Sequence, residues 1–293
     1  MTGEHPQTLT GRRTILIAVG IVLVLVAILQ WARSRQLESR IVAAGGQLIV
    51  DNSSNSRSAF VLIRDRFTNR LMGNKDSSLH HIFFSNRNAD DRWLAQNRVA
   101  IEDLSAQTWL TLKDTQVSSN GLAALRGIED LWTLDISGTP LTDEAIEHVS
   151  TMPDLRNLDI SHTGISDQAL AGLRNHPTLN WISVDANQAT KVGIEHIVAI
   201  PRLFWLRLVQ PTAATLRLLP RAMDLTITDA TITPEMVKSL QTMARLKSLR
   251  LEACHFEKLP KNRLLNSLPN CKVTVLSAKQ LSTLQARWLA EVH

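Results

Sequence analysis

Pairs of aliphatic residues, each separated by one polar residue, recur between positions 110 and 275. The pairs are Leu110/Leu112, Leu134/Ile136, Leu158/Ile160, Ile182/Val184, Leu206/Leu208, Leu225/Ile227, Leu249/Leu251 and Val273/Val275. Successive pairs are 24, 24, 24, 24, 19, 24 and 24 residues apart. Side chains two residues apart lie on one face of a β-strand, so each pair predicts a short strand with one buried face. A fixed period of this length predicts a stack of similar units, each burying its apolar edge against its neighbours.

The residues around each pair complete one repeat. Four stretches fit the pattern L-x-x-L-x-L-x-x-N/C-x-L with conservative replacements, namely 131–141, 155–165, 179–189 and 246–256. The N/C position is predicted to turn inward where the chain leaves the strand and to hydrogen-bond unpaired backbone. Its occupants are Thr139, Thr163, Asn187 and Cys254. Polar runs such as Thr142-Asp143-Glu144 and Ser166-Asp167-Gln168 precede apolar residues at helical spacing, which predicts a helical return in each repeat.

These repeats resemble the leucine-rich repeat superfamily. Residues 134–146 and 158–170 are most similar to its bacterial membrane-anchored members and to the repeat arrays of F-box proteins. The resemblance covers residues 107–278 and implies an α/β fold. That fold is a right-handed βα solenoid with a parallel sheet on its concave face and helices on its convex face. For function it implies binding of proteins or other macromolecules. No F-box-like segment precedes the repeats.

One repeat departs from the period. Only 19 residues separate Leu206 from Leu225, and Pro211 and Ala213 occupy the positions that are inward polar and apolar elsewhere. Pro220 argues against a full helix in this return, because proline removes a backbone donor. Two interpretations follow: a local change of curvature, or a notch in which a partner docks.

Residues 14–32 predict a membrane-spanning helix. They carry no charge, and 19 residues at 1.5 Å each span about 28 Å, close to the thickness of a bilayer core. A cleaved signal peptide is the alternative, but its apolar core is shorter, so an uncleaved signal-anchor is favoured. Arg12 and Arg13 precede the span and Arg33 and Arg35 follow it, so the count of positive charges is equal on the two sides. A short tail with an arginine pair directly before the span favours a cytoplasmic tail and repeats outside the cytoplasm.

The remaining segments are expected to close the ends of the array. The predicted organisation is a tail at 1–13, the anchor at 14–32, a linker and N-terminal cap at 33–106, the repeats at 107–278 and a capping helix at 279–293. Within the cap, residues 36–44 predict a helix and 48–50 a short strand, while 60–63 and 82–84 predict strands or a hydrophobic lid. The C-terminal helix could alternatively be an amphipathic segment that binds a partner. It contains Leu281, Leu284, Trp288, Leu289 and Val292.

Strand positions that point away from the core predict the partner-binding residues. Trp181 and Trp205 occupy equivalent positions in successive repeats and should stand about 4.8 Å apart on the concave face. Tryptophan and arginine are enriched among binding hot spots. Alternatively, the tryptophans pack on each other and on cap residues and simply fill the inner curve. The candidate partner-binding residues are Trp109, Asp135, Asp159, Trp181, Trp205, Arg207 and Arg250.

Charge is distributed unevenly along the chain. The net charge is +6 over residues 1–100, −9 over 101–200 and +8 over 201–293. This disfavours nucleic acid, because the acidic part repels phosphate. It also suggests a second function, in which the protein self-associates through its acidic and basic halves.

Enzymatic chemistry and cofactors are not indicated. The His80–His81 pair lacks clustered Cys, His or Asp partners at zinc-ligand spacing, so no metal site is predicted. His148 and His196 follow glutamates two repeats apart, as expected of repeated solvent-facing helix positions. No glycine-rich phosphate loop is present. The expected function is a membrane-anchored, non-catalytic scaffold that binds a protein or other macromolecule through its concave face.

Sedimentation of residues 41–293 at low and high salt distinguishes this scaffold from the self-associating alternative. A scaffold is expected to sediment as a monomer at both salt concentrations. Oligomers that dissociate as salt is added would instead support association through the two charged halves, because salt screens exposed charges.

Overall fold

A computed structural model describes residues 35–44, 46–51, 76–84, 89–102, 106–186, 188–219, 224–243, 246–257 and 267–283, with positions 25, 28, 29 and 32. Apart from those last four positions, the predicted membrane segment at 14–32 lies outside the described residues. So do the predicted strand at 60–63 and Asn187. Within the described ranges, no helix is long and apolar enough to cross a membrane.

Ten described strands form one sheet. In chain order they begin with β1 (Gly46–Asp51), β2 (Asp76–Phe84), β3 (Ala106–Thr111), β4 (Leu131–Asp135), β5 (Asn157–Asp159) and β6 (Trp181–Asp185). They continue with β7 (Trp205–Val209), β8 (Asp224–Thr228), β10 (Ser248–Glu252) and β12 (Lys272–Leu276). A separate two-stranded ladder joins β9 (Thr231–Ile232) and β11 (His255–Phe256). Neighbours pair in chain order, and β2 to β12 of the large sheet are parallel.

The predicted register is confirmed pair by pair. Leu110 pairs with Leu134, Leu134 with Leu158, and the alignment continues to Leu249 and Val273. The shortened step makes no break, since Leu206 lies opposite Leu225. The aliphatic pairs from β3 to β10 are almost fully buried and form one continuous core. The fold is therefore mixed α/β with nine parallel strands in its main sheet, which is consistent with a solenoid like that of leucine-rich repeats.

The sheet extends one strand further toward the N-terminus than the period indicates. Ile82 of β2 lies opposite Leu110, and Ile82 and Phe84 are buried in the same core. Strand β1 then pairs with β2 in the antiparallel direction. An antiparallel neighbour does not require the crossover connection that a parallel neighbour requires.

Short helical segments connect the strands. The α-helices are α1 (Asp91–Glu102), α2 (Ser119–Leu122), α3 (Glu144–Val149), α4 (Lys191–Ile197), α5 (Ala213–Arg217) and α6 (Pro234–Gln241). The return predicted to be helical after Ser166 is a 3-10 helix, Ala169–Leu173. In the shortened repeat the return is reduced to the five residues of α5, and Pro220 lies beyond the described residues.

Polar residues at the helix starts bond in two different ways. The side chains of Thr190, Thr212 and Thr233 accept bonds from their own helices, as N-caps do. Asp143 makes no such cap. Its carboxylate instead accepts bonds from the backbone and hydroxyl of Ser166 in the next repeat, at 2.6 and 2.9 Å. Asp143 therefore links adjacent repeats rather than capping its own helix.

The N-terminal end of the core is covered by helical residues. Residues 35–43 are helical, and Leu37 and Ile41 are buried in the common core. The backbone oxygen of Arg40 accepts a bond from the indole of Trp93 in α1, and the Arg40 guanidinium reaches Asn97 at 3.3 Å. At the other end, Ser277 and Gln280 form a reciprocal capping box at the start of helical residues 278–283. Leu284, Trp288, Leu289 and Val292 lie outside the described residues.

A buried amide links two neighbouring repeats in the middle of the array. Gln188 is fully inaccessible, and its Nε2 lies within hydrogen-bond distance of the Ile160 and Ile165 carbonyls, at 3.1 and 3.2 Å. Its Oε1 accepts the Asp185 backbone N–H at 3.1 Å. Cys254 plays the predicted part in its own repeat, where its thiol donates to the Ile227 carbonyl at 3.3 Å.

Replacing Gln188 by leucine is expected to lower the free energy of unfolding by about 2–4 kcal/mol, because several buried backbone groups lose their partner. Gln168→Leu is the matched control, since Gln168 is exposed in the preceding repeat. Urea unfolding followed by circular dichroism measures both. If the two variants had equal free energies of unfolding, the hydrogen bonds of Gln188 would not be needed to stabilise the fold.

Candidate partner-binding site

Two rows of side chains project from the sheet face opposite the core. The first row runs from Trp109 through Thr133, Asn157, Trp181, Trp205 and Asp224 to Ser248. The second runs from Thr111 through Asp135, Asp159, Ser183, Arg207 and Thr226 to Arg250. All seven predicted binding residues therefore lie on this face, in the register expected from the sequence.

The three tryptophans of the first row have different surroundings, although each is half-buried. Trp109 packs edge-on against the buried His81 of β2, with ring centroids 4.4 Å apart. The indole of Trp205 donates to the Thr226 hydroxyl at 3.0 Å, and the Arg250 guanidinium lies 5.8 Å from its ring. Trp181 stands directly opposite Trp205 in the ladder. Trp109 thus packs on a residue of the N-terminal cap, whereas Trp181 and Trp205 remain the candidate pair for contact with a partner.

Asp135 and Asp159 form a carboxylate ladder in the second row. Oδ1 of Asp135 accepts bonds from the Ser137 backbone and hydroxyl, at 3.0 and 2.7 Å. Oδ1 of Asp159 accepts the same two bonds from Ser161, at 3.0 and 2.6 Å. Burial, reinforced by the charge of Asp159, raises the pKa of Asp135 from 3.8 to about 6, against the opposing effect of Ser137 and Lys113. The two carboxylates are thus fixed in position and repel each other.

The cationic part of this face is already engaged within the chain. A terminal nitrogen of Arg207 lies 3.0 Å from Oε2 of Glu252, two strands away, and its Nε donates to the Thr228 hydroxyl at 3.0 Å. Arg250 lies 3.7 Å from the other oxygen of Glu252. Arg207 and Arg250 were predicted as partner-binding residues, and Glu252, which neutralises part of their charge, was not.

A cavity of about 430 Å³ opens at the carboxyl ends of the strands. Its lining reaches from Phe84 of β2 to Thr228 of β8, so this face of the sheet is concave. The other lining residues are Thr111, Lys113, Asp114, Asp135, Ser137, Asp159, Ser161, His162, Arg207, Val209 and Asp229. Three of the candidate residues, Asp135, Asp159 and Arg207, line this cavity.

The cavity rim is built from turns with left-handed backbone. Asp114, His162 and Asp229 line the cavity and have φ of 57°, 57° and 52°. Gly138, Gln210 and Ala253 adopt the same conformation at equivalent positions of other repeats. Left-handed residues are usually glycine, so the Asp and His residues here give no sequence signal of the turn.

The histidines do not assemble a metal site within the described ranges, where no group of three or more His, Cys, Asp or Glu could hold an ion. His148 and His196 were predicted to face solvent, but both are half-buried, and the Nδ1 of each is enclosed. Burial, followed by the charge of Arg126, lowers the pKa of His148.

No family model matches this sequence, and no curated protein matches it. Among solved structures, the chain is similar to the crystal structure of human 5T4, also titled Wnt-activated inhibitory factor 1 and trophoblast glycoprotein. The sequence identity is 18%, the TM-score is 0.39, and the similarity covers 68% of this chain and 76% of that chain. The assignment of the fold rests on the strand register.

Asp135→Asn is expected to become more stable relative to the wild type as pH rises from about 4 to about 6. The raised pKa means that the folded state binds this proton more tightly than the unfolded state, so folding weakens as the proton leaves between about pH 4 and 6. The variant should gain about 1–3 kcal/mol over that range. Thermal unfolding at several pH values measures this, with exposed Glu147→Gln as control. If the difference in stability between Asp135→Asn and the wild type did not change with pH, the raised pKa of Asp135 would be contradicted.

Proposed function

We propose that this protein is a non-catalytic scaffold that binds a protein partner through the concave face of its sheet. One observation carries the proposal: Trp181 and Trp205 stand opposite each other, half-buried, on the face that also contains the cavity. Large aromatic side chains that stay partly exposed and adjacent are typical of binding surfaces. A curved array also offers a long concave surface, which suits a macromolecular partner.

The hydroxyl groups of the cavity position its acidic side chains. The Ser137 and Ser161 hydroxyls donate to Asp135 and Asp159, and these bonds fix the carboxylates. The serines thus serve to orient charge on the concave face.

A membrane anchor at residues 14–32, with the repeats outside the cytoplasm, belongs to the same proposal. Positions 25, 28, 29 and 32 are helical. Leu25, Ile28 and Leu29 are 53, 53 and 60% exposed, and their spacing places them on one side of a helix. Exposed apolar side chains in such a row require a cover, and the acyl chains of a bilayer would supply it. The preceding pair Arg12–Arg13 favours a cytoplasmic N-terminal tail.

Affinity capture from native membranes tests the scaffold. The double variant Trp181→Ala with Trp205→Ala is expected to retain the partner at least about ten-fold less well, because hot-spot aromatics contribute about 2 kcal/mol or more each. Trp132→Ala is the control, because it removes an aromatic side chain from a position of β4 that lies outside the two concave rows. If the folded concave variant captured its partner as well as the wild type does, the proposed function would be wrong.

A further inference from the structure

The charges that line the cavity do not balance. Four carboxylates face it, those of Asp114, Asp135, Asp159 and Asp229, against the cations Lys113 and Arg207. Arg207 is paired with Glu252, which is not a lining residue of the cavity. A terminal nitrogen of Arg207 lies 3.0 Å from Oε2 of Glu252. Negative charge in a concave site concentrates cations, because the surrounding protein focuses the field. The cavity is therefore complementary to a positively charged group.

The two central carboxylates are held as a preorganised pair. Asp135 and Asp159 lie opposite each other on strands about 4.8 Å apart. In each, the serine two residues further along binds Oδ1, so the side chain is fixed and Oδ2 is the oxygen left to meet a ligand. A guanidinium or ammonium group with several donors can bridge two carboxylates at this separation. Such a cation would also remove the repulsion between them.

A buried hydroxyl next to this pair also lacks a partner. Ser183 lies between Asp159 and Arg207 in the same row, and both of those residues line the cavity. Its side chain projects from the concave face and is fully inaccessible, and its Oγ bonds to none of the described residues. An unsatisfied buried hydroxyl costs about 1–3 kcal/mol, so it is expected to meet a donor in some state of the protein.

We propose that the cavity receives an arginine or lysine side chain from a basic segment of the protein partner, with the cation bridging Asp135 and Asp159 next to the strand that carries Ser183. This inference rests on the proposed function. The two rows also explain why the ligand is a protein segment. Trp181 and Trp205 precede Ser183 and Arg207 by two residues each, so an apolar surface lies beside the acidic cavity on the same face. A polypeptide can present a cation and apolar side chains together.

The charge state of Asp135 predicts how this recognition depends on pH. The charged groups that act on Asp135 are Asp159, on the neighbouring strand, and Lys113, after β3. Because the pKa of Asp135 is raised to about 6, its negative charge is largely lost by pH 5. The affinity for a cationic segment should therefore fall between pH 7 and pH 5.

Fluorescence anisotropy with the full chain in detergent micelles tests the proposal. The probe is a fluorescein-labelled tetra-arginine peptide, and a tetra-glutamate peptide is its charge-reversed counterpart. Asp135→Asn with Asp159→Asn is expected to weaken tetra-arginine binding at least about ten-fold. Asparagine keeps an acceptor oxygen for each serine, so the turns are retained. The matched control is Glu144→Gln with Glu147→Gln, which removes two exposed charges from α3 and should change the affinity less than about two-fold.

A second variant does not depend on removing the carboxylates. Thr111 lies opposite Asp135 and lines the cavity, so Thr111→Arg would place the chain's own guanidinium there and block the peptide. The inference would be overturned if the double variant of Asp135 and Asp159 and the double variant of Glu144 and Glu147 weakened peptide binding equally. It would also be overturned if neither the double variant of Asp135 and Asp159 nor Thr111→Arg weakened peptide binding. The scaffold proposal is judged separately, by partner capture with the tryptophan variants. A failure of one therefore does not register as a failure of the other.

Discussion

In-register stacking of the aliphatic pairs, from Leu110/Leu112 to Leu249/Leu251, determines where every other side chain of the array lies. The pairs fill a common core, and the parallel ladder then repeats each neighbouring position in space. A residue just outside the core therefore has its counterparts of adjacent repeats about 4.8 Å away. The shortened 19-residue step preserves this alignment, because the loss falls on the return segment rather than on the strands.

The same stacking creates the electrostatics of the concave face. A ladder brings like residues together as readily as apolar ones, so Asp135 meets Asp159 and their charges repel. Ser137 and Ser161 hold both carboxylates in place rather than neutralising them. The basic side of the face is different, since Arg207 and Arg250 share Glu252. The centre of the concave surface thus carries two carboxylates that repel each other. The charged side chains of β7 and β10 are instead paired with one another.

Sequence periodicity predicted the features that depend on the ladder and missed those that depend on contacts between unlike positions. The strand pairs, the buried face and the row of Trp181 and Trp205 all follow from spacing alone. Glu252 reaches Arg207 across an intervening strand, so no period relates them. Gln188 lies one position beyond the expected inward Asn187, and Asp143 bonds to the next repeat although its local pattern is that of a cap. The apolar run at 82–84 was predicted as a strand or lid but not as a member of the ladder, because the residues linking β2 to β3 include α1, which lengthens its repeat.

Burial along the sheet is uneven, and this has a consequence for the order in which the array opens. Val273 and Val275 in β12 are only half-buried, whereas the pairs from β3 to β10 are almost inaccessible. In a linear array each unit is stabilised by its neighbours, so the least buried end opens first and at the smallest free energy. The cavity is lined from β2 to β8, away from that end. A chain that has frayed at β12 would therefore still present an intact concave face.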